Sequence, residues 1–169
     1  MLGTDDYDKA YEFVAKHEGY KSNHKADKGG HTEYGITQGF LDAHGIKKRV
    51  GELSAGDTKQ IFYDFIWTPC KYAFIESLEV AAKVFDMNVN MGPTQAHKLL
   101  QRAINVLVDE DIKVDGILGK NTLAAINSLN SLNLLNSIRT QCVMFYKALV
   151  AKDKSQEVFL HGWLRRARD

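Results

Sequence analysis

Two acidic residues near the start of the chain have the types and the spacing for acid–base chemistry. Glu18 ends an apolar helical run and is followed at once by Gly19, and Asp27 lies nine residues further on in a polar loop. At about 100° per residue, Glu18 lies about 20° from Tyr7 and Tyr11 around the helix, so its carboxyl shares the inward face. Burial raises the pKa of a carboxyl, as a general acid requires, whereas a carboxyl in a polar loop stays ionised.

Such a pair of carboxyl groups is what the hydrolysis of a glycosidic bond requires. One carboxyl protonates the leaving oxygen, and the other activates water or attacks the sugar carbon. Thr32, five residues after Asp27, offers a hydroxyl that can orient a water molecule. Gly29 and Gly30 let the backbone turn tightly between them. The alternative is a solvated or capping Glu18, because short motifs specify function only weakly.

The elements that must position these residues are predicted to be mostly helical. The first helix runs from about Asp5 to Glu18, with an acidic start that suits the helix dipole. Residues 20–36 lack helical periodicity, which predicts a loop with a small hairpin. Thr37 can cap a short second helix that ends near Gly45. Further helices are predicted in the stretches "DTKQIFYDFIWTPC", "SLEVAAKVFDMNVNMGP", "TQAHKLLQRAINVLV" and "QEVFLHGWLRRARD". A short helix is predicted to begin at about Thr122. A long helix follows it, with an inward face of Leu135, Ile138, Cys142, Phe145 and Leu149.

The fold class that follows from these elements is mainly α, within an α+β organisation. We expect a helical domain with a short loop and β-hairpin inserted after the first helix. A chain of 169 residues has the size of one domain, which we take as residues 1–169. Within it, residues 1–80 carry the two carboxyl groups, and residues 81–169 form a helical half.

The composition argues against several classes of protein. The net charge of +1 gives no basic stripe for nucleic acid. No apolar run approaches the roughly 20 residues that a membrane span needs, and the acidic first residues lack the apolar segment of a signal peptide. We therefore expect a monomer that is made in the cytoplasm without a signal peptide and without stable membrane insertion. Cys70 and Cys142 are expected to be free, buried thiols.

Neither the histidines nor the acidic loop later in the chain forms a convincing metal site. His17, His24 and His31 recur at seven-residue steps, but no cysteine or further histidine completes a zinc site. The loop "DEDIKVDG" lacks carboxylates at the fifth and twelfth positions of a calcium loop, which are Lys113 and Lys120. We expect neither a metal nor an organic cofactor, because acid–base chemistry needs none.

The stretch around the two carboxyl groups resembles a known family in its residues and spacing. "EGYK" at Glu18 and "DKGGHTEYGIT" from Asp27 resemble the signature of the lysozyme-like muramidases of glycoside hydrolase family 108. The resemblance implies Glu18 as the general acid, Asp27 as the residue that holds or activates water, and Thr32 as its helper. Tyr20 stands where the family has its second glycine, and both Tyr20 and Tyr34 are expected to contact the substrate.

The rest of the chain extends the resemblance to its end. "VFDMNVNMGPTQAHKLLQRAINV" and "VDGILGKNTLAAI" resemble the predicted peptidoglycan-binding half of that family, and "FLHGWLRR" resembles its closing segment. The resemblance implies an N-acetylmuramidase that cleaves the β-1,4 bond of peptidoglycan glycan strands, acting on the cell wall or periplasm after release as a phage endolysin. The alternatives are a bacterial enzyme of the same family, a lytic transglycosylase and a non-catalytic peptidoglycan-binding protein.

Two residues of the helical half have alternative interpretations. Asn90 either caps the end of its helix or lines the saccharide cleft, since an asparagine side chain suits both roles. The family resemblance favours the cleft. Trp163 is expected in the core rather than under a sugar ring, because it lies at helical spacing from Phe159.

Overall fold

The chain folds into helices joined by short connections, and the computed structural model describes residues 1–18, 32–33 and 35–169. The predicted mainly α fold with a small hairpin after the first helix is confirmed within those ranges. The helices are α1 (Thr4–Glu18), α2 (Gln38–Ala43), α3 (Ala55–Phe62), α4 (Leu78–Met91), α5 (Pro93–Asn105), α6 (Lys120–Ser128), α7 (Ser131–Lys152) and α8 (Glu157–Arg168). The strands are β1 (Thr32–Glu33) and β2 (Ile36–Thr37). The predicted division into halves 1–80 and 81–169 stays a prediction.

Short polar side chains start several of the helices. The side chains of Thr37, Ser54, Ser77 and Asn130 each accept a hydrogen bond from a backbone N–H in the first turn of α2, α3, α4 and α7, respectively. Such caps satisfy donors that the helix leaves unpaired and contribute about 1 kcal/mol each. The starts of these four helices are therefore determined by local sequence.

Helix α4 forms the centre of the fold. Its residues from Val80 to Asn88 are all buried, and α1, α5 and α7 pack against it. On the α1 side, Phe85 lies in an aromatic cluster with Tyr7 and Trp67, at ring-centroid distances of 6.1 and 5.6 Å. A helix that is surrounded in this way must be apolar on most faces, so the polar residues it does carry need partners.

One set of such partners is a buried hydrogen-bond chain between α4 and α5. Asn88 Nδ2 donates to the Tyr72 hydroxyl at 2.8 Å, and that hydroxyl lies 2.9 Å from His97 Nε2. His97 Nδ1 lies 3.0 Å from the carbonyl of Gly116 and donates to it, which leaves Nε2 to accept from Tyr72. Burial lowers the pKa of His97, in keeping with a neutral ring. Gly116 has φ 81°, and a Cβ there would lie 2.9 Å from the backbone oxygen of residue 94.

The segment after α3 differs from the sequence prediction. The predicted single helix ends at Phe62, and a wider π turn runs over Tyr63–Trp67. The extra residue in this turn rotates the chain and brings Ile66 and Trp67 into the core, where Trp67 is only 2% exposed. Phe65 is only partly buried.

The inward face of α7 is also rotated relative to the prediction. Leu135, Ile138 and Cys142 are buried as predicted, but the stripe continues through Tyr146 and Val150. Phe145 and Leu149 are only partly buried. The reason is that Tyr146 has partners on α4 and α8, and these contacts are long-range and leave no mark on local periodicity. Cys70 and Cys142 are free thiols, and burial raises the pKa of Cys142 to about 11.

Candidate functional site

The first helix carries the candidate acid at its end. Tyr7, Ala10 and Val14 are buried along the face that packs on α4, and Glu18 is the last residue of α1. This helix therefore ends in a fixed position relative to α4. The backbone of Glu18 is described, and its side chain is not.

The hairpin places the backbone of Thr32 opposite the start of α2. Thr32 pairs with Thr37, and Glu33 pairs with Ile36, in an antiparallel register. Ile36 is 1% exposed and anchors β2 in the core. Thr37 Oγ1 accepts from the Phe40 N–H at 3.1 Å, as the predicted cap requires. The hairpin is therefore tied at one end to the core and to α2.

Several predicted site residues lie outside the described residues. They are Tyr20, Asp27 and Tyr34, and the same is true of His24 and His31. Their predicted roles stay predictions.

His17, the residue before the candidate acid, lies between two carboxylates. Its Nδ1 is 3.2 Å from Asp86 Oδ1 on α4, and its Nε2 is 2.9 Å from Asp169 Oδ2 after α8. The hydrogen bond to Asp86 raises the pKa of His17, against the opposing effect of burial. An imidazolium that donates from both nitrogens fits this arrangement. The last turn of α1 is therefore held from two sides.

Asp86 is the buried centre of this group of charges. It is 1% exposed, and Arg166 Nε donates to both of its oxygens at 3.1 Å, while Arg166 Nη2 lies 2.9 Å from Oδ1. Burial acts to raise the pKa of Asp86, but the bonds from His17 and Arg166 outweigh it and the pKa is lowered. A buried carboxylate with two cationic partners is the arrangement in which such a charge is tolerated.

Lys83 and Arg139 extend the network from α4 and α7 to the end of α8. Lys83 Nζ donates to the backbone carbonyl of Arg166 at 2.6 Å, and burial lowers the pKa of Lys83. Arg139 Nη2 donates to the backbone oxygen of Asp169 at 2.8 Å. We call His17, Lys83, Asp86, Arg139, Arg166 and Asp169 the ionic network. It joins α1, α4, α7 and α8 at the turn of α1 that precedes Glu18, the candidate acid.

Asn90 lies inside α4 and does not cap its end. The helix ends at Met91, and the capping residue is Gly92, with φ 81° and its N–H bonded to the Asn88 carbonyl at 2.8 Å. Asn90 Oδ1 accepts from the Tyr146 hydroxyl at 2.6 Å, and the Tyr146 ring stacks on Trp163 with centroids 5.2 Å apart. Trp163 is partly buried, so one part of its ring packs and another part stays accessible.

Two cavities adjoin these elements. The first, which we call the α8 cavity, has a volume of about 590 Å³ and is lined by the end of α1, by Asn90 and by α8. The second, which we call the hairpin cavity, has a volume of about 370 Å³ and is lined by β2, α2 and the end of α4. Lys16 and His17 line the α8 cavity, and Gly35 and Thr37 line the hairpin cavity. The last turn of α1 and the hairpin are thus each next to a concave surface.

Sequence reasoning did not identify the ionic network. Its signals were present, since Lys83 and Asp86 interrupt an otherwise apolar helical run, and "RRARD" brings three arginines together at the end of the chain. A charged residue on a buried helix requires a partner of opposite charge. That rule predicts a partner without saying which of the chain's 22 basic side chains provides it.

Two kinds of feature are absent from the described part of the chain. Residues 1–18, 32–33 and 35–169 bring together no group of three or more histidine, cysteine or acidic side chains that could hold a metal ion. Over the same residues, every helix is too short or too polar to span a membrane.

Comparison with known proteins assigns almost the whole chain. Residues 11–92 match the family model of glycosyl hydrolase 108, and residues 95–168 match the model described as a predicted peptidoglycan domain. Among solved structures, Brucella abortus SagA is similar, with a TM-score of 0.80 and 24% identity over 98% of this chain and 91% of that chain. No curated protein gives a match.

The two matches meet at the junction of α4 and α5, and the hydrolase match contains Glu18, Asp27 and Thr32. The likeness to SagA extends over both segments and shows that the fold is shared. The chain therefore carries a glycosyl hydrolase 108 domain at residues 11–92, followed by a predicted peptidoglycan domain at residues 95–168.

Proposed function

We propose that this protein is a muramidase that hydrolyses the β-1,4 bond between the two amino sugars of peptidoglycan. Glu18 is the general acid that protonates the leaving oxygen. Asp27 holds or activates the attacking water, and Thr32 helps to position that water. Tyr20, Tyr34 and Asn90 are proposed to contact the glycan strand.

The observation that carries this proposal is the position of Glu18, within the family match, at the end of a helix that packs one face on α4. Glu18 is the last residue of α1, and the match to glycosyl hydrolase 108 spans residues 11–92. The carboxyl-terminal end of a helix carries partial negative charge, which disfavours a carboxylate there and raises its pKa. A helix terminus contributes about 0.3–1 kcal/mol to this effect, in the direction that a proton donor needs.

The ionic network supports the same proposal through geometry. A general acid must be held within a few tenths of an ångström of its working position, because misplacement weakens proton transfer. His17 precedes Glu18 and is bonded to Asp86 and Asp169, so the last turn of α1 is fixed by α4 and by the end of α8. The second half of the chain thereby supports the helix that carries the acid.

Analysis of the products of purified peptidoglycan by mass spectrometry tests the proposal. A muramidase adds water and leaves a reducing muramic acid end, and the reaction in H₂¹⁸O places the label there. A lytic transglycosylase closes a 1,6-anhydro ring and takes up no water, which would replace the proposed mechanism. Absence of any cleaved product would indicate a peptidoglycan-binding protein without catalytic activity.

The proposal includes a cellular role as an endolysin that reaches the wall after release from the cytoplasm. Expression in a bacterium with and without a membrane-permeabilising protein tests this role. Lysis that requires the permeabilising protein supports it, and lysis without that protein contradicts it.

A further inference from the structure

The α8 cavity is formed jointly by the two halves of the chain. Its volume is about 590 Å³, and it is lined by Lys16 and His17 from α1, by Asn90 from α4, and by Trp163 and Arg165 from α8. Lys16 and His17 directly precede Glu18 in the sequence. The cavity therefore lies against the same last turn of α1 that carries the proposed acid.

The described residues on the lining of this cavity carry more positive than negative side-chain charge. Among them, Arg166 is engaged by Asp86, and the side-chain carboxylate of Asp169 is bonded to His17. Lys16 and Arg165 are exposed, and within the described residues neither forms an ion pair. Two cations, one from each half of the chain, are thus available to an anionic ligand.

The floor of the cavity offers an aromatic surface and an amide. Tyr146 stacks against Trp163 at an interplanar angle of 21° and donates its hydroxyl proton to Asn90 Oδ1. That bond fixes the Asn90 amide and leaves its Nδ2 without a hydrogen bond to any described residue. An amide N–H held in this way can donate to a carbonyl oxygen, as in a peptide.

We propose that the α8 cavity binds the peptide stem of peptidoglycan, a short peptide with free carboxylates. Lys16 and Arg165 pair with the carboxylates, Asn90 donates to a carbonyl where the stem joins the glycan strand, and Trp163 packs on the side chains. This inference rests on the proposed function, because the stem hangs from the muramic acid whose glycosidic bond is cleaved. A stem on that sugar must lie close to the acid, and the α8 cavity adjoins the helix turn that carries Glu18.

Kinetics on two substrates test the inference. One substrate is purified peptidoglycan with its stems, and the other is the same material after an amidase has removed them. The wild-type enzyme is expected to have a KM at least about fivefold lower for the intact material, as two exposed charge contacts allow. In the double variant Lys16→Gln, Arg165→Gln, the two KM values should converge. The preference should also decline with added salt.

Matched controls remove an exposed charge from the same two helices away from the cavity. Lys9→Gln on α1 and Arg168→Gln on α8 should keep the wild-type preference for stems. Loss of the preference in these controls would assign it to overall charge and overturn the inference. An equal KM for the two substrates in the wild type would overturn it as well.

A binding measurement separates this inference from the proposed function. A synthetic stem pentapeptide is titrated calorimetrically into the wild type and into the Lys16→Gln, Arg165→Gln variant. Binding that is weakened at least about fivefold in the variant supports the inference, even when neither substrate is cleaved and the proposed function fails. Absent or unchanged binding overturns the inference and leaves the proposed function standing.

Discussion

Replacing Asp86 by asparagine tests whether the ionic network holds α1 and α8 against α4. The carboxylate of Asp86 meets His17 at 3.2 Å and Arg166 at 2.9–3.1 Å, and the residue is 1% exposed. Asparagine has nearly the same shape but carries no charge. The Asp86→Asn variant therefore leaves the Arg166 guanidinium and the His17 ring next to each other without the anion between them.

The expected loss of stability is large for a single isosteric change. Removing one partner of a buried ion pair costs about 3–5 kcal/mol, because the remaining charges lose a buried counter-charge. We expect a value near the lower end, about 3 kcal/mol, since Arg166 stays 11% exposed and can retain some water. In a protein of this size, that loss corresponds to a fall in Tm of about 10 °C. Stability of the whole fold is only about 5–15 kcal/mol.

Urea unfolding and calorimetric melting measure this change, with Asp109→Asn as the control. Asp109 is an exposed aspartate, and its substitution should change the free energy of unfolding by less than about 0.5 kcal/mol. The titration midpoint of His17, followed by NMR, should fall in Asp86→Asn, because its first hydrogen-bond partner is lost. A loss below about 1 kcal/mol with an unchanged His17 midpoint would refute the reasoning.

A double-mutant cycle identifies the source of the loss. If the cost comes from the loss of the Asp86 counter-charge of the guanidinium, Arg166→Met should restore part of the stability in the Asp86→Asn background. Strictly additive losses would mean that the two side chains act independently, in contradiction to the contacts between them.

The remaining predictions concern the proposed site and the pH dependence of stability. Glu18→Gln should abolish lysis of purified wall with little change in Tm, because glutamine cannot donate the proton; activity within a few-fold of wild type would contradict the assignment. Asp27→Asn should lower the rate of wall lysis strongly. Wild-type rates of lysis in both Asp27→Asn and Asp27→Ala would contradict the two-carboxylate mechanism. Tyr20→Ala should reduce lysis at an unchanged Tm if the ring contacts the glycan, whereas a loss of about 3–5 kcal/mol would place the ring in the core. The pKa of His17 is raised in the folded protein. Protonation of His17 therefore stabilises the fold fully below the unfolded pKa of about 6.5, and this stabilisation is lost as pH rises through the folded pKa. The difference in unfolding free energy between wild type and His17→Gln should accordingly shrink from pH 5 to pH 9, and a difference that grows over this range would contradict the assigned sign.

The parts of the fold that the sequence predicted correctly depend on neighbours along the chain. Thr37 caps α2 because its hydroxyl is three residues from the N–H that it accepts from. The start of α1 at Thr4 and its end at Glu18 follow from an acidic first turn and from Gly19. Helical periodicity and capping are local properties, so they can be recognised without knowledge of the tertiary structure.

The parts that the sequence did not predict depend on residues far apart in the chain. Asp86 and Arg166 are separated by 80 positions, and His17 and Asp169 by 152. Pairing over such distances is decided by how α8 packs on α1 and α4, and no local pattern records it. The same applies to Tyr146, whose bond to Asn90 turns α7 away from the face that its periodicity favoured.

For the candidate site, the sequence identified residue types and the family, and the structure added their surroundings. The alternative roles of Asn90 illustrate the difference. Both a cap and a cleft residue need an exposed amide near a helix end, so the sequence left both open. Only the positions of Gly92 and Tyr146 show that the cap is elsewhere and that the amide is held in place.

The junction at Gly92 has a consequence for how the enzyme travels over its substrate. Helix α4 ends at Met91 and α5 begins at Pro93, so one glycine joins the two family segments. A binding module on a flexible tether would stay attached while the catalytic part swings between neighbouring bonds, at a raised effective concentration. Without a tether, wall binding and cleavage take place on one rigid protein surface. Neither segment can then reach a neighbouring bond by moving alone, so the spacing of the bonds cut in one binding event is expected to depend on movement of the whole molecule.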